Sequence, residues 1–191
     1  MFIAMDHNLY VLSDEIYEDY YDGDKDWPEQ AWTFDYEKTI VTSGLSKTFA
    51  NPGIRIGWLA TQERLVEECW GIKDYTTVAS SILSQHIACK VLEPQIIKKI
   101  KARARELLLG NLQVFKEWII PYSNFLSYVP PEAGGFIYVR YNMKINSSDL
   151  IHNLRENESV FIVPGDSFGM DGYFRVGLGS KAKTFKRGLN L

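Results

Sequence analysis

The chain has 191 residues, with 24 Asp and Glu against 21 Lys and Arg, a slightly acidic balance that excludes a general attraction for nucleic acid or an anionic membrane surface. This length suits one domain or slightly more, and such a chain buries about 70% of its unfolded surface without staples. Cys69 and Cys89 stand in no paired motif and His7, His86 and His152 show no ligand spacing, so no disulfide framework and no metal site are expected, and the natural setting is reducing and cytoplasmic.

The first residues carry Asp6 and Asp14 in place of a cationic start and an apolar run, so no targeting segment is expected. Leu9 to Ser13 is a short apolar run closed by Asp14 and predicts a buried strand. Tyr17 to Asp35 is aromatic and acidic, with Pro28 as a breaker, and predicts a loop holding one helical turn. Thr39 to Ser43 predicts a second strand, and Ile54 to Thr61 a third, with Gly57 as its weak point. Continuous apolar strands of this kind suit a parallel sheet covered on both faces. Helices are predicted over Gln62 to Lys73 and Ser80 to Leu92. The run Tyr75 to Cys89 is too short and too polar to span a bilayer. Pro94 suits the first turn of a long helix, along which Ile97, Ile100, Ala104, Leu107, Asn111, Phe115 and Trp118 form a stripe. Lys98, Lys99, Lys101, Arg103 and Arg105 on that helix read as a solvated face, because no aromatic residues interleave for base stacking.

The last third is strand-rich. Phe125 to Val129 and Phe136 to Tyr141 predict two strands, Ser148 caps a helix through Asn157, and Val160 to Val163 and Tyr173 to Leu178 predict two more strands. Ser180 caps a final helix running to Leu191. The reading is an α/β chain: residues 1–92 form part of a large layer with a mostly parallel sheet, residues 93–120 a connecting helix, and residues 121–191 a smaller α+β domain.

The chemistry concentrates in three places. Ser43-Gly44-Leu45-Ser46-Lys47-Thr48-Phe49-Ala50-Asn51-Pro52-Gly53-Ile54-Arg55-Ile56-Gly57-Trp58 sets a lysine eight residues before an arginine, with Pro and Gly in the turn between them. A lysine amine can form an imine with an aldehyde, and an arginine fork can hold a phosphate through two charged hydrogen bonds. Lys47 by itself reads as a surface lysine, and its functional reading depends on the strand before it and Arg55 after it. Arg55, flanked by isoleucines, needs a partner if buried and otherwise is an edge-strand arginine facing water. Asp14 closes the first strand, where open α/β sheets bind ligands. Alone, it reads equally as a helix cap, and Tyr17 as a half-buried aromatic. Pro164-Gly165-Asp166-Ser167-Phe168-Gly169 precedes Arg175, whose bland reading is a surface ion pair.

These motifs, in this order, resemble the class I and II aminotransferases, pyridoxal-phosphate enzymes of fold type I. The resemblance implies that Lys47 is the catalytic, cofactor-bound lysine. It implies that Asp14 faces the pyridinium nitrogen, Tyr17 bonds the ring oxygen, and Arg55 with Ser46 (and Ser43) holds the phosphate. It implies that Arg175, after the Pro-Gly turn, clamps the substrate's α-carboxylate. Pro131 to Phe136 resembles a family turn near the substrate entrance. The family often carries a serine three residues before the lysine; here that position is Gly44. The implied cofactor is pyridoxal 5'-phosphate, and the implied substrates are an L-amino acid and a 2-oxo acid, in an aspartate aminotransferase-like reaction. The implied assembly is a homodimer without nucleic acid, membrane or metal. Family enzymes are about twice this length, so the resemblance implies the C-terminal half only, a truncated chain with weak turnover by itself. Two alternatives share these residues: a non-catalytic oligomerisation or binding domain, and a fold type I lyase.

Overall fold

Thr39–Gly44 opens with four β-branched residues, which favour extended backbone, and it forms the central strand, β2, of a three-stranded sheet. The computed structural model describes residues 1–17 and 29–190, which divide into two compact units, Met1–Ala102 and Arg103–Leu191. The central part of the predicted Tyr17 to Asp35 loop, with Pro28, lies outside the described residues. On its far side a short 3-10 turn covers Ala31–Phe34.

The first unit begins with a single helical turn, α1 (Phe2–Asp6), followed by β1 (Val11–Asp14). β1 runs parallel to β2, with Asp14 opposite Thr42. The third strand, β3 (Gly57–Ala60), runs antiparallel to β2, with Gly57 opposite Gly44. The fold class stands as read from the sequence, but the third strand differs in direction and extent. Residues 45–56 contain only a 3-10 turn at Pro52–Ile54. A parallel return needs a longer crossover, usually a helix, to carry the chain back to the other end of the sheet. Without one, β3 returns antiparallel. Pro52 opens the turn, so Ile54, Arg55 and Ile56 precede the strand instead of belonging to it.

Burial is also narrower than the sequence predicts. β2 is covered, whereas Leu12 on β1 is 68% exposed and β3 is largely exposed. Helices α2 (Glu63–Lys73) and α3 (Ile82–Val91) fall where the periodicity places them. The core of this unit is small: Leu45, Ala88 and Val91, with Phe49, Ile54, Ile56 and Ile100 packed against them.

Helix α4 (Pro94–Ile119) begins at its proline as expected, and the division between the units falls within it, after Ala102. The second unit holds a four-stranded antiparallel sheet in the order β4 (Leu126–Tyr128), β5 (Phe136–Tyr141), β7 (Tyr173–Gly177), β6 (Val163–Pro164). Side chains alternate across a strand. Ile137, Val139 and Tyr141 of β5 and Phe174 and Val176 of β7 therefore face the core, against Leu112, Phe115 and Ile119 of α4. Ile151 of α5 (Ser147–Glu158) and Phe185 of α6 (Ala182–Leu189) complete it. The intervening residues Phe136, Tyr138, Arg140, Tyr173 and Arg175 share the other face.

The helix boundaries carry two corrections. Asn146, not Ser148, caps α5: its side chain accepts the Ser148 N–H. Helix α6 starts after Lys181 without a side-chain cap, so Ser180 does not cap it, and Leu191 lies outside the described residues. Ser180 instead gives its carbonyl to Asn111 of α4, whose amide nitrogen donates to both Leu178 O (2.7 Å) and Ser180 O (2.8 Å). The polar member of the α4 stripe thus ties down the chain leaving β7.

Candidate active site

Because β1 and β2 are parallel, their carboxyl ends lie at one end of the first sheet. Because β3 is antiparallel, its beginning lies there too. Asp14 closes β1, Lys47 follows β2, and Arg55 precedes β3. All three thus belong to the same end of one sheet.

The chain leaving β2 is anchored on both sides of the lysine. Leu45 is wholly buried, and its N–H donates to Ile56 O at 3.0 Å. Thr48 Oγ1 donates to Ile16 O at 3.2 Å, and Ser43 Oγ to Glu15 O at 3.3 Å. Asn51 N–H donates to Leu45 O at 2.9 Å, and Ala50 N–H to Lys47 O at 2.8 Å. The Thr48 and Ser43 bonds clip the loop to the turn after β1, and the other three brace it internally and against Ile56. Lys47, itself exposed, sits with Nζ 5.7 Å from the centre of the Tyr17 ring, so one residue of the Lys47–Arg55 motif meets one of the Asp14–Tyr17 motif.

Asp14 is exposed and its Oδ1 accepts from Ile16 N–H and from Thr42 Oγ1, each at 3.3 Å. Thr42 was not singled out in the sequence. Its place opposite Asp14 in the parallel register is the signal that identifies it. Neighbouring Glu15 accepts from Ser13 Oγ (3.0 Å) and Ala31 N–H (2.9 Å). It thereby ties the strand end to the segment beyond the undescribed residues.

Arg55 is not a buried strand residue. It caps the Pro52–Ile54 turn in the left-handed conformation, with φ 53°, and is exposed. Its Nη1 donates to Pro52 O at 3.0 Å and reaches Ser46 Oγ at 3.4 Å. The guanidinium and the hydroxyl of Ser46 are therefore adjacent, as two donors for one anion would be. Gly44 has its own reason to be glycine: a Cβ there would meet Ile56 O at 2.9 Å and Gly57 Cα at 3.1 Å. Close pairing of β2 with β3 takes the space that a serine side chain would need.

Arg175 belongs to the second unit. It lies on β7 opposite Tyr138 of β5 and Val163 of β6. Its Cζ lies 5.2 Å from the centre of the Phe136 ring and 5.0 Å from that of Phe168. Phe168 ends a 3-10 turn, Gly165–Phe168, that lies within the Pro-Gly motif between Pro164 and Gly169. Gly165 is buried, and a Cβ there would meet Tyr173 O at 2.6 Å. Burial raises the pKa of Tyr138, which the neighbouring Arg175 charge partly offsets. Asp166, in the same turn, accepts from Ser148 Oγ, and that bond leads in holding its carboxyl below the usual range.

The donor set suits a small phosphorylated aldehyde with a basic ring nitrogen. It offers an amine over an aromatic ring, a guanidinium beside a hydroxyl, and a carboxylate at the strand end. Among the described residues no cluster of His, Cys, Asp or Glu could hold a metal ion, and no helix is long and apolar enough to cross a membrane.

The family model for aminotransferase class I and II matches residues 2–190. The chain is 30% identical over 184 residues to aromatic-amino-acid aminotransferase 2 of Thermococcus litoralis, covering 91% of this chain and 45% of that protein. It is 27% identical to the transcriptional regulator NorG of Staphylococcus aureus, over 85% of this chain and 37% of the regulator. A PLP-dependent aminotransferase from Streptococcus suis superposes with a TM-score of 0.86 at 29% identity, over 98% of this chain and 48% of that one. These matches correct the implication that the resemblance reaches a C-terminal half only, since they take in the chain almost from end to end. The chain spans about half the length of the relatives and solved structures it matches.

Proposed function

Since this chain belongs to the class I and II aminotransferase family, with its fold type I architecture, we propose that it serves pyridoxal-phosphate-dependent transfer of an amino group. The transfer runs between an L-amino acid and a 2-oxo acid, as in aspartate aminotransferases, and the active assembly is a homodimer. One observation carries the reading: Lys47 stands over Tyr17 in a pinned loop, at the sheet end that also holds Asp14 and the Arg55–Ser46 pair.

When bound, pyridoxal phosphate supplies a protonated ring that withdraws electrons from the substrate's α-carbon. Asp14 would hold the protonated ring nitrogen. Thr42 donates to Asp14 Oδ1 and so orients the carboxylate. Arg55 and Ser46 hold the phosphate through charge-assisted and neutral hydrogen bonds. Tyr17 would hydrogen-bond the ring oxygen through its phenol. Lys47 would hold the aldehyde end, and its Nζ would take the substrate's α-proton as base and return it as acid. Arg175 takes the α-carboxylate in a two-point grip that fixes the α-carbon for deprotonation.

Borohydride reduction after incubation with pyridoxal phosphate tests this. The label is expected on the Lys47 peptide of the parent chain and to be lost in Lys47→Ala. A label that is absent, or spread evenly over the lysines, would favour a second reading as a non-catalytic binding or oligomerisation domain. The similarity to a transcriptional regulator supports that second reading.

A further inference from the structure

We infer that Phe136 and Phe168 are positioning residues for Arg175, restraining its guanidinium through the aromatic faces while leaving its N–H donors available to a carboxylate. The inference rests on the proposed role of Arg175 in binding the substrate.

Arg175 differs from a surface arginine held in an ion pair. Among the described residues no carboxylate forms an ion pair with it, and its guanidinium makes no hydrogen bond to the protein. A guanidinium on a long side chain has much rotamer freedom to lose on binding a ligand. Holding it with an acidic side chain would consume the N–H fork that a substrate carboxylate needs. An aromatic ring restrains it differently, because the attraction is between the cation and the ring's π-face. Arg175 Cζ lies within that range of two rings, 5.2 Å from Phe136 and 5.0 Å from Phe168.

The two rings come from separate elements and are themselves held. Phe136 opens β5, next to the strand that carries Arg175. Phe168 ends the Gly165–Phe168 turn and meets Tyr138 edge to face, with centroids 6.2 Å apart and planes at 79°. Tyr138 in turn stacks on Tyr173 at 5.3 Å and 13°. Arg175 therefore faces an aromatic row anchored across both central strands. Phe136 is 41% and Phe168 51% exposed. Neither belongs to the core of this unit, so their presence is not explained by packing.

The test follows the Arg175 Nε–Hε resonance in 15N-labelled chain during titration with pyruvate, a small 2-oxo acid without an aromatic group. Phe136→Leu and Phe168→Leu should each raise the apparent Kd about three- to fivefold, the loss expected for one partly exposed cation–π contact. Phe168→Tyr, which keeps the ring, should stay within about twofold of the parent, and thermal melts should confirm that all variants fold. Leucine variants that bind like the parent would overturn the inference. So would a tyrosine variant that falls as far as leucine, or a parent whose Arg175 signal ignores pyruvate. Borohydride labelling of Lys47 in the same samples separates the two claims. Labelling that persists while the pyruvate pattern fails removes the aromatic restraint alone. Labelling that is absent from the parent removes the broader reading.

Discussion

Arg55 is the residue whose environment departs most from its sequence context. Between two isoleucines it reads as a strand residue in need of a buried partner, yet it stands exposed at the end of a proline-initiated turn. Exposure suits a phosphate ligand that must enter from solvent. Arg55→Ala is expected to weaken retention of pyridoxal phosphate about tenfold or more, the loss of one charge-assisted hydrogen-bonding partner, measured by absorbance titration. Arg55→Lys should recover only part, because an ammonium is a point charge without the planar fork. Gly44 is constrained in the opposite sense. Ser at this position is a family habit, but here its Cβ would press on the backbone at Ile56 O and Gly57 Cα. Gly44→Ser is therefore expected to lower the melting temperature and to loosen the Lys47 loop, not to add a phosphate contact.

Two elements of the second unit depend on polar ties. Asn111 is 1% exposed and holds two carbonyls of the segment joining β7 to α6. Asn111→Leu matches the apolar stripe of α4 but strands both carbonyls. The expected destabilisation is about 1–3 kcal/mol, read by denaturant titration. Asp171 accepts the backbone N–H groups of Ser147 and Gly172 at 2.7 and 2.8 Å, and those bonds hold its carboxyl below its ordinary value of 3.8. A carboxyl more acidic when folded stabilises the fold fully above its unfolded pKa, and the contribution disappears as pH falls through the lower folded value. The stability gap between the parent and Asp171→Asn should therefore be level at neutral pH and close as pH falls below 3.8. A gap unchanged by acid would mean that the charge contributes nothing.

At the scale of the molecule, the first unit carries little core and much apolar surface. Leu12, Trp70, Ile72, Tyr75 and Leu83 are all exposed. β1 pairs with β2 on one side, and among the described residues no strand pairs on its other side. Unpaired strand edges and large apolar patches promote association, in keeping with the proposed homodimer. Sedimentation should show larger species as concentration rises, and Leu12→Lys, which places a charge at the edge strand, should shift the population toward monomer. A chain that stays monomeric throughout the range would refute this.

The sequence alone determined the elements whose signal is local. Helices α2, α3 and α4 and strand β5 follow periodicity and a well-placed proline. The spacing of Asp14 with Tyr17 and of Lys47 with Arg55 was legible because each pair lies within a few turns of chain. Long-range packing decided the rest. The direction of β3 depended on whether residues 45–56 could cross the sheet. The cap of α5 depended on which side chain met the Ser148 N–H, and the burial of β1 and β3 on what covers them. The rings beside Arg175 come from another strand and another turn, and no spacing reports such a meeting. Periodicity records which side of an element is apolar, whereas side-chain neighbours are set by how elements dock, and only the tertiary structure holds that.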